Sequence, residues 1–233
     1  MEISNKDLEY FAYIASHDLQ EPLRMITSYV QLLEKRYAPK LDTDAKEFIN
    51  FAVDGAARMQ TLIQSLLEYS RVNRVKPFED VDMNEALAEV MQDLTVAIAE
   101  SKAEISFKDL PVIYGDKVLL GQLLLNLVSN AIKFRGEGPV KIDVKCEESQ
   151  DEYLFSVKDN GIGIQKEYKD KIFVIFQRLH TRDQYPGTGI GLAVCKKIVE
   201  RHKGKIGVES EFGKGSVFYF TIKKLKREQG TNE

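Results

Sequence analysis

Ser16-His17-Asp18-Leu19-Gln20-Glu21-Pro22-Leu23 is the stretch around which the rest of the sequence is organised. It places a histidine beside a carboxylate on a predicted helix that continues to about Tyr37. His17 lies off the densest part of the apolar stripe of this helix, so we expect its imidazole to reach water. The helix is predicted because apolar residues recur at intervals of three and four, at Leu8, Phe11, Ile14, Ala15, Leu19, Leu23, Ile26, Val30 and Leu33.

The chemistry of this stretch depends on the histidine and its neighbour. A neutral imidazole is a good nucleophile near pH 7, since its ordinary pKa is about 6.5. Asp18 could accept the proton of one ring nitrogen and leave the other lone pair free to attack. A lone His-Asp pair on a helix is also typical of a solvated surface, so this stretch alone does not establish catalysis. Pro22 predicts a kink just after the histidine.

The composition excludes several classes of protein. The chain has 233 residues, which suggests one large domain or two smaller ones. Its net charge is 33 − 36 = −3, which argues against nucleic-acid and membrane-surface binding. No apolar run is long enough to cross a bilayer. Cys146 and Cys195 lack a CxxC partner and are interpreted as reduced packing cysteines in a cytoplasmic protein.

Two long helices are expected at the N-terminal end of the chain. The first ends near Pro39, and Asp44 with Glu47 predicts a capping box for a second helix that runs to about Val72. One such hairpin leaves much apolar surface uncovered, so we predict a homodimer that forms a four-helix bundle. Because Met1 nearly coincides with the start of the first apolar stripe, we expect an input region upstream in a longer protein.

After the hairpin the pattern changes to mixed helices and strands. Asp82 and Asp116 are predicted to cap two further helices, and several alternating segments predict strands paired as hairpins. Their irregular order favours an α+β layer over a doubly wound sheet. The predicted domains are a helical hairpin at 1–74, a linker at 75–78, an α/β sandwich at 79–225 and a tail at 226–233.

Three motifs in the second domain suit one phosphorylated ligand. Asn126, Asn130 and Lys133 share one helical face, where amide oxygens suit Mg²⁺ and the lysine adds a positive charge. The second motif, Asp159-Asn160-Gly161-Ile162-Gly163-Ile164, follows a strand, and its glycines let the backbone approach a flat ligand. The third, Gly187-Thr188-Gly189-Ile190-Gly191-Leu192, opens a helix whose free N–H groups can hold an anion. Each motif alone is also typical of ordinary structure.

Together and in this order, the motifs resemble the catalytic core of a sensor histidine kinase of two-component systems. The first segment resembles the dimerisation and histidine-phosphotransfer hairpin. The second is similar to the ATP-binding domain of the gyrase, histidine kinase and MutL superfamily. Two sequence motifs are most similar to those of phytochrome-type kinases, namely His-Asp-Leu-Gln-Glu-Pro-Leu-Arg and, further on, Ile-Phe-Gln-Arg-Leu-His.

The resemblance implies a role for each motif residue. His17 would be the phosphoacceptor, Asp18 its acid/base partner, Asn130 the Mg²⁺ ligand and Asp159 the residue that reads the adenine amine. Asn126 and Lys133 would lie near the ATP phosphates. The remaining nucleotide-binding residues would be Gly161, Gly163, Gly187, Thr188, Gly189, Gly191 and Leu192. Phe173 and Phe176 match a phenylalanine box beside a lid at about Gln177–Pro186, with Arg178, His180 and Arg182 as lid candidates for phosphate contact.

The resemblance also implies the partners and one departure. The phosphoryl group would pass to an aspartate of a response regulator receiver domain. The family commonly has threonine or asparagine four residues after the histidine, where it helps to hold a hydrolytic water. Glu21 stands there in this sequence, which predicts weak phosphatase activity. Two alternatives remain at this stage, namely a degenerate kinase that acts as a dimeric docking module and an ATP-driven clamp.

Overall fold

A computed structural model describes residues 5–72, 77–179, 184–185 and 187–225, with side chains described from Asp18 onward. The chain divides into two compact units, and the division lies between Arg71 and Val72. The predicted linker at 75–78 is described only at Pro77 and Phe78, and the predicted tail at 226–233 lies outside the described residues. The exact domain bounds therefore stay a prediction.

The first unit is a helical hairpin, as predicted. Helix α1 spans Asn5–Tyr37 and runs through Pro22, a short 3₁₀ turn follows at Ala38–Lys40, and helix α2 spans Thr43–Arg71. The residue proposed to cap α2 was wrong. Asp42 performs this role, because its Oδ1 accepts a hydrogen bond from the Ala45 backbone N–H at 2.8 Å, whereas Asp44 lies inside the first turn.

The hairpin buries one narrow stripe and leaves another uncovered. Leu23, Ile49, Ala56 and Leu67 are buried where α1 and α2 pack against each other. Many large apolar side chains remain exposed: Leu19, Met25, Ile26, Tyr29, Leu32, Leu33, Phe48, Phe51 and Met59. Within the described residues, no helix combines the length and the apolar character needed to span a membrane.

The second unit contains four helices and two 3₁₀ turns among its described residues. The helices are α3 at Met83–Asp93, α4 at Thr95–Ser101, α5 at Lys117–Lys133 and α6 at Gly191–Arg201, and the turns are Lys166–Tyr168 and Lys171–Phe173. Both predicted caps are confirmed, since Asp82 accepts from Asn84 N and Asp116 from Leu119 N. The helix that Asp82 caps ends at Asp93, and α4 follows it directly after Leu94.

In the part of the chain that the structure describes, seven strands form two sheets. A five-stranded sheet has the order β2-β4-β5-β7-β6, and β1 pairs with β3 in a separate antiparallel ribbon. Only the β2–β4 pair of the larger sheet is parallel. The strands are β1 Glu79–Asp82, β2 Glu104–Phe107, β3 Val112–Gly115, β4 Lys141–Glu148, β5 Glu152–Asp159, β6 Ile206–Glu211 and β7 Gly215–Lys223. The predicted α+β class is therefore confirmed.

The core lies between one face of the large sheet and helices α5 and α6. Alternate residues of the central strands are buried on this face, and Phe155 of β5 stacks on Phe220 of β7 with ring centroids 5.0 Å apart. The opposite residues of the same strands are more exposed, for example Leu154 and Tyr219. Strand periodicity thus produces a two-layer sandwich. This layering brings the end of β5 close to the polar face of α5 and to the start of α6.

Candidate nucleotide-binding site

A cavity of about 320 Å³ lies in the second unit, where the three sequence motifs meet. This volume is at the lower end of the range that is usual for small-molecule sites. Every predicted nucleotide-binding or metal residue except Gly161 lines the cavity: Asn126, Asn130, Lys133, Asp159, Gly163, Gly187, Thr188, Gly189, Gly191 and Leu192. The fold therefore brings together segments that are about 30 residues apart in the chain.

Helix α5 supplies the polar wall. Its buried face is apolar and includes Leu127 and Val128, so the turns of the helix direct Asn126, Asn130 and Lys133 into the cavity. Among the described residues, neither asparagine side chain has a protein hydrogen-bond partner. Two half-buried amides that face a cavity are therefore available to a ligand or its metal.

Asp159, the last residue of β5, lines the cavity. Only 9% of its surface is exposed. Its Oδ1 accepts hydrogen bonds from the backbone N–H groups of Gly161 at 2.8 Å and Ser216 at 3.2 Å. Burial raises the pKa of this carboxyl, and the two backbone bonds oppose the rise. Among the described residues, Oδ2 has no partner, so the carboxylate can accept one further donor from a ligand.

Gly161 does not line the cavity but shapes the turn beside it. A Cβ atom at this position would collide with the Phe134 carbonyl oxygen, which also accepts a hydrogen bond from Ile162 N at 3.0 Å. The turn after β5 is thereby joined to the end of α5. Gly163 does line the cavity, has a φ of +67°, and lies directly against the Glu211 carbonyl. The two glycines therefore serve one turn in different ways.

The third motif brings backbone close to α5. Gly187 and Gly189 have φ values of +148° and +76°, which favour glycine, and a Cβ on Gly187 would lie 3.0 Å from Lys133 Nζ. Helix α6 begins at Gly191, and among the described residues its N-cap position, Ile190, provides no side-chain cap. A Cβ on Gly191 would lie 2.9 Å from Asn126 Oδ1. This arrangement provides backbone donors beside a lysine and suits a phosphorylated ligand.

Two cations face this part of the cavity. Lys133 Nζ lies 4.3 Å from the centre of the Phe134 ring, and burial together with nearby Arg178 lowers the pKa of the lysine. Arg178 Nη2 donates to the Tyr185 carbonyl at 2.8 Å, while its buried Nη1 has no hydrogen-bond partner among the described residues. Two neighbouring positive charges that repel each other are better accommodated when a polyanion binds.

Part of the predicted lid lines the cavity. Gln177, Arg178, Leu179 and Tyr185 contribute to it, whereas His180, Arg182 and Pro186 lie outside the described residues. Phe173 and Phe176 do not line the cavity. Phe176 is 57% exposed and has a φ of +64°, which is unusual for a residue other than glycine.

Most apolar residues that line the cavity were not predicted as site residues, although Leu192 was and Tyr185 belongs to the predicted lid. Those not predicted as site residues include Phe134, Ile162, Ile164, Ile172, Tyr185 and Phe218. Their spacing carried no signal, because an apolar side chain beside a ligand has the same pattern as one in a core. Tyr185 packs on Phe134 with ring centroids 4.9 Å apart, so one aromatic pair borders the cavity.

His17 and Asp18 lie in the other unit. Both belong to α1, and Asp18 is exposed, whereas the side chain of His17 is outside the described set. The cavity and the predicted phosphoacceptor are therefore carried by separate parts of the chain.

Comparison with known proteins identifies both units. Residues 7–74 match the His Kinase A (phospho-acceptor) domain, and residues 115–226 match the histidine kinase-, DNA gyrase B-, and HSP90-like ATPase family. The fold and cavity thus define an ATP-binding domain joined to a phosphoacceptor hairpin. The chain belongs to the histidine kinase family.

Individual relatives agree with this assignment. Cyanobacterial phytochrome A of Nostoc sp. strain PCC 7120 is 53% identical over 95% of this chain, which spans only 29% of that protein. Full-length ShkA in complex with AMPPNP is 25% identical, with a TM-score of 0.70, over 92% of this chain and 46% of that one. Histidine kinase ThkA in complex with the response regulator TrrA is 28% identical, with a TM-score of 0.63, and the match covers 98% of this chain and 66% of that chain.

Proposed function

We propose that this chain is the catalytic core of a sensor histidine kinase, which transfers a phosphoryl group from ATP to His17 and then to an aspartate of a response regulator. The observation that carries the proposal is the convergence of Asn130, Asp159 and the Gly187–Leu192 segment on one cavity. Family membership makes adenosine triphosphate the expected ligand of that cavity. The AMPPNP complex of ShkA supports this choice.

The cavity has a polar and an apolar part that suit the two ends of ATP. Oδ2 of Asp159 accepts a hydrogen bond from the exocyclic amine of adenine, while Ile162, Ile172 and Phe218 cover the base. At the other end, the N–H groups at the start of α6 donate to the phosphates, and Lys133 and Arg178 offset their charge. Positioning and charge neutralisation are the main requirements of phosphoryl transfer.

Asn130 fits the proposed Mg²⁺ site. Its amide lines the cavity beside Asn126 and has no protein partner among the described residues, and amide oxygens are hard ligands that suit this ion. When bound, Mg²⁺ would shield the phosphate charge and orient the phosphates. The chain would contribute Asn130 as its ligand, with water and phosphate oxygens completing the shell.

His17 and Asp18 carry the transfer itself. One ring nitrogen of His17 attacks the γ-phosphorus, a P–N bond forms, and the bond between that phosphorus and the bridging oxygen breaks to release ADP. Asp18 takes the proton of the other ring nitrogen, so the product imidazole is neutral. The P–N bond is labile, which permits transfer to a carboxylate of a receiver domain. The ThkA complex with its response regulator supports this partner.

The hairpin is proposed to form a homodimer. Leu19, Ile26 and Leu33 recur every seven residues along α1 and are each about half exposed, as is Phe51 of α2. A second hairpin would cover these side chains in a four-helix bundle.

We also retain the prediction of a cytoplasmic protein. Two free cysteines support it, and burial together with nearby carboxylates raises the pKa of Cys146 to about 11.

Phe51→Glu is expected to dissociate the dimer, because each dimer would bury two unpaired carboxylates. Loss of the apolar contacts alone is worth about 2 kcal/mol per ring, so we expect the dimer dissociation constant to rise at least about 100-fold. Sedimentation or light scattering at micromolar concentration measures it. Phe212→Glu is a matched control, since Phe212 is also 61% exposed but lies in the other unit. A native chain that is monomeric at this concentration would contradict the proposal.

Glu21→Thr is expected to increase dephosphorylation of the receiver domain about tenfold. Glu21 is exposed one helical turn after His17, where its charge repels a phosphorylated partner, and threonine can hold the hydrolytic water. The measurement is loss of label from a purified phosphorylated receiver in the presence of ADP. Glu47→Thr, which replaces an exposed glutamate of α2, serves as the control. Strong phosphatase activity in the native chain that disappears in Glu21→Thr would refute this expectation.

A further inference from the structure

His202 is a buried histidine that does not line the cavity. It follows the last residue of α6 and has no exposed surface. Its Nδ1 lies 2.8 Å from the Ile198 carbonyl oxygen, and its Nε2 accepts a hydrogen bond from the Asp116 backbone N–H at 3.1 Å. A carbonyl can only accept, and a backbone N–H can only donate. These two partners therefore assign the proton to Nδ1 and require a neutral imidazole.

The ring joins the two helices that border the cavity. Asp116 caps the start of α5, which carries Asn130 and Lys133, whereas Ile198 belongs to α6, which begins at Gly191. The approach is close, because a Cβ on Gly115 would lie 3.0 Å from His202 Nε2. The imidazole thus links the N-terminal end of one helix to the C-terminal end of the other.

A third contact reaches the point where the chain enters the second unit. Phe78 directly follows Pro77 and stacks on the His202 ring, with centroids 4.8 Å apart and planes 12° from parallel. Tyr114 of β3 meets Phe78 edge-on at 5.9 Å, and the Arg201 guanidinium lies 5.6 Å from the Phe78 ring centre. We call His202, Asp116 and Phe78 the histidine clasp.

The charges around the clasp oppose protonation of the ring. Burial lowers the pKa of His202 below its ordinary value, and the Arg201 guanidinium acts in the same direction. The bond to the Ile198 carbonyl and the Asp116 carboxylate oppose this lowering, but the carboxylate also lies 3.6 Å from Arg201 Nη2. From β7, the Lys223 backbone N–H donates to the His202 carbonyl at 3.3 Å. A proton on Nε2 would face the Asp116 N–H donor and break the link to α5.

We propose that His202 is a positioning residue of the ATP site, which holds α5 and α6 in place as a neutral imidazole and weakens nucleotide binding when it is protonated. The inference rests on the proposed function, because nucleotide binding is its readout. Because burial holds the pKa of His202 below the ordinary histidine value of about 6.5, the clasp is intact at neutral pH and is lost only as the pH falls through that lowered pKa. Nucleotide affinity should therefore decrease at a pH clearly below about 6.5.

The test compares the native chain with His202→Gln. Glutamine can accept from Asp116 N–H and donate to the Ile198 carbonyl, but it does not titrate in this range. The dissociation constant of a fluorescent ADP derivative is measured for both chains in steps from about pH 7.5 to about pH 5. We expect the native chain to lose about five- to tenfold more affinity than His202→Gln between these values. Because ADP itself titrates in this range, the ratio between the two chains is the informative quantity.

The experiment also includes one variant within the clasp and one control away from it. A second variant, Phe78→Ala, admits water to the imidazole and should move the loss of affinity to higher pH. Phe212→Ala removes an exposed ring from the same unit and should change nothing.

Two results would overturn the inference. The first is an equal loss of affinity in the native chain and in His202→Gln on acidification. The second is an unchanged pH response of nucleotide binding in Phe78→Ala. The second result tests the inference by itself if His202→Gln does not fold. Failure of the proposed function is distinguishable. In that case the native chain would not bind ADP even at about pH 7.5, whereas failure of the inference alone leaves binding at that pH intact.

Discussion

His17→Gln is expected to abolish ATP-dependent, acid-labile phosphorylation of the chain. Glutamine has nearly the length of histidine but offers an amide nitrogen whose lone pair is delocalised, so it cannot attack phosphorus. Removal of a covalent nucleophile costs at least about 10³-fold in rate, which is below detection in a labelling experiment. The measurement is incorporation of radiolabel from γ-labelled ATP, followed by acid and base treatment of the product.

The controls separate chemistry from binding. His17→Gln should retain native affinity for an ADP derivative, because the cavity lies in the other unit. His180→Gln should retain the acid-labile label. If His17→Gln acquires the same label as the native chain, another residue is the phosphoacceptor. If the native chain binds ATP without becoming labelled, the degenerate docking module becomes the better description.

Asp159→Asn is expected to weaken ATP binding about 100-fold. Asparagine can keep its Oδ1 bonds to Gly161 N and Ser216 N, but the atom that faces the ligand becomes an NH₂ donor. The new NH₂ group and the adenine amine are then two donors that face each other. Loss of the hydrogen bond to the carboxylate, together with a buried donor that lacks an acceptor, costs about 3 kcal/mol. Calorimetry or fluorescence titration measures the affinity.

The stability of the Asp159→Asn chain shows whether weaker ATP binding comes from the lost contact or from unfolding. Because burial raises the pKa of Asp159, the native fold bears the cost of an ionised carboxylate at neutral pH, and a neutral amide removes that cost. The free energy of unfolding of the nucleotide-free Asp159→Asn chain should therefore equal or exceed the native value. Asp170→Asn, at an exposed position, should change neither quantity. A variant that binds ATP normally would exclude Asp159 as the adenine contact.

Local patterns predicted most of the elements, and the exceptions have physical causes. Asp82 and Asp116 were recognised as caps because capping is a contact between residues two or three apart. The short strand β1 was missed, since Glu79–Asp82 is acidic and forms a strand only by pairing with β3. Asp44 was wrongly predicted to cap α2, because Asp42 and Asp44 precede the same apolar run and only the path of the chain into α2 distinguishes them.

The candidate site was predicted in its polar residues and missed in most of its apolar ones. Asn130, Asp159 and the glycines are unusual at their positions, so their residue types carried a signal. Ile172, Phe218 and Tyr185 carried none, because an apolar side chain serves a core and a binding cavity equally well. The histidine clasp was likewise invisible, since His202, Asp116 and Phe78 are far apart in the chain.

The amino-acid sequence by itself determined the helical hairpin, the α+β class and the presence of three ligand-binding motifs, because periodicity, capping and turn chemistry act over a few residues. Only the tertiary structure decided that these motifs share one cavity, that Gly161 shapes a turn while Gly163 lines the site, and that His202 joins α5 to α6. These features depend on strand register and helix packing, which arise from contacts between residues tens of positions apart.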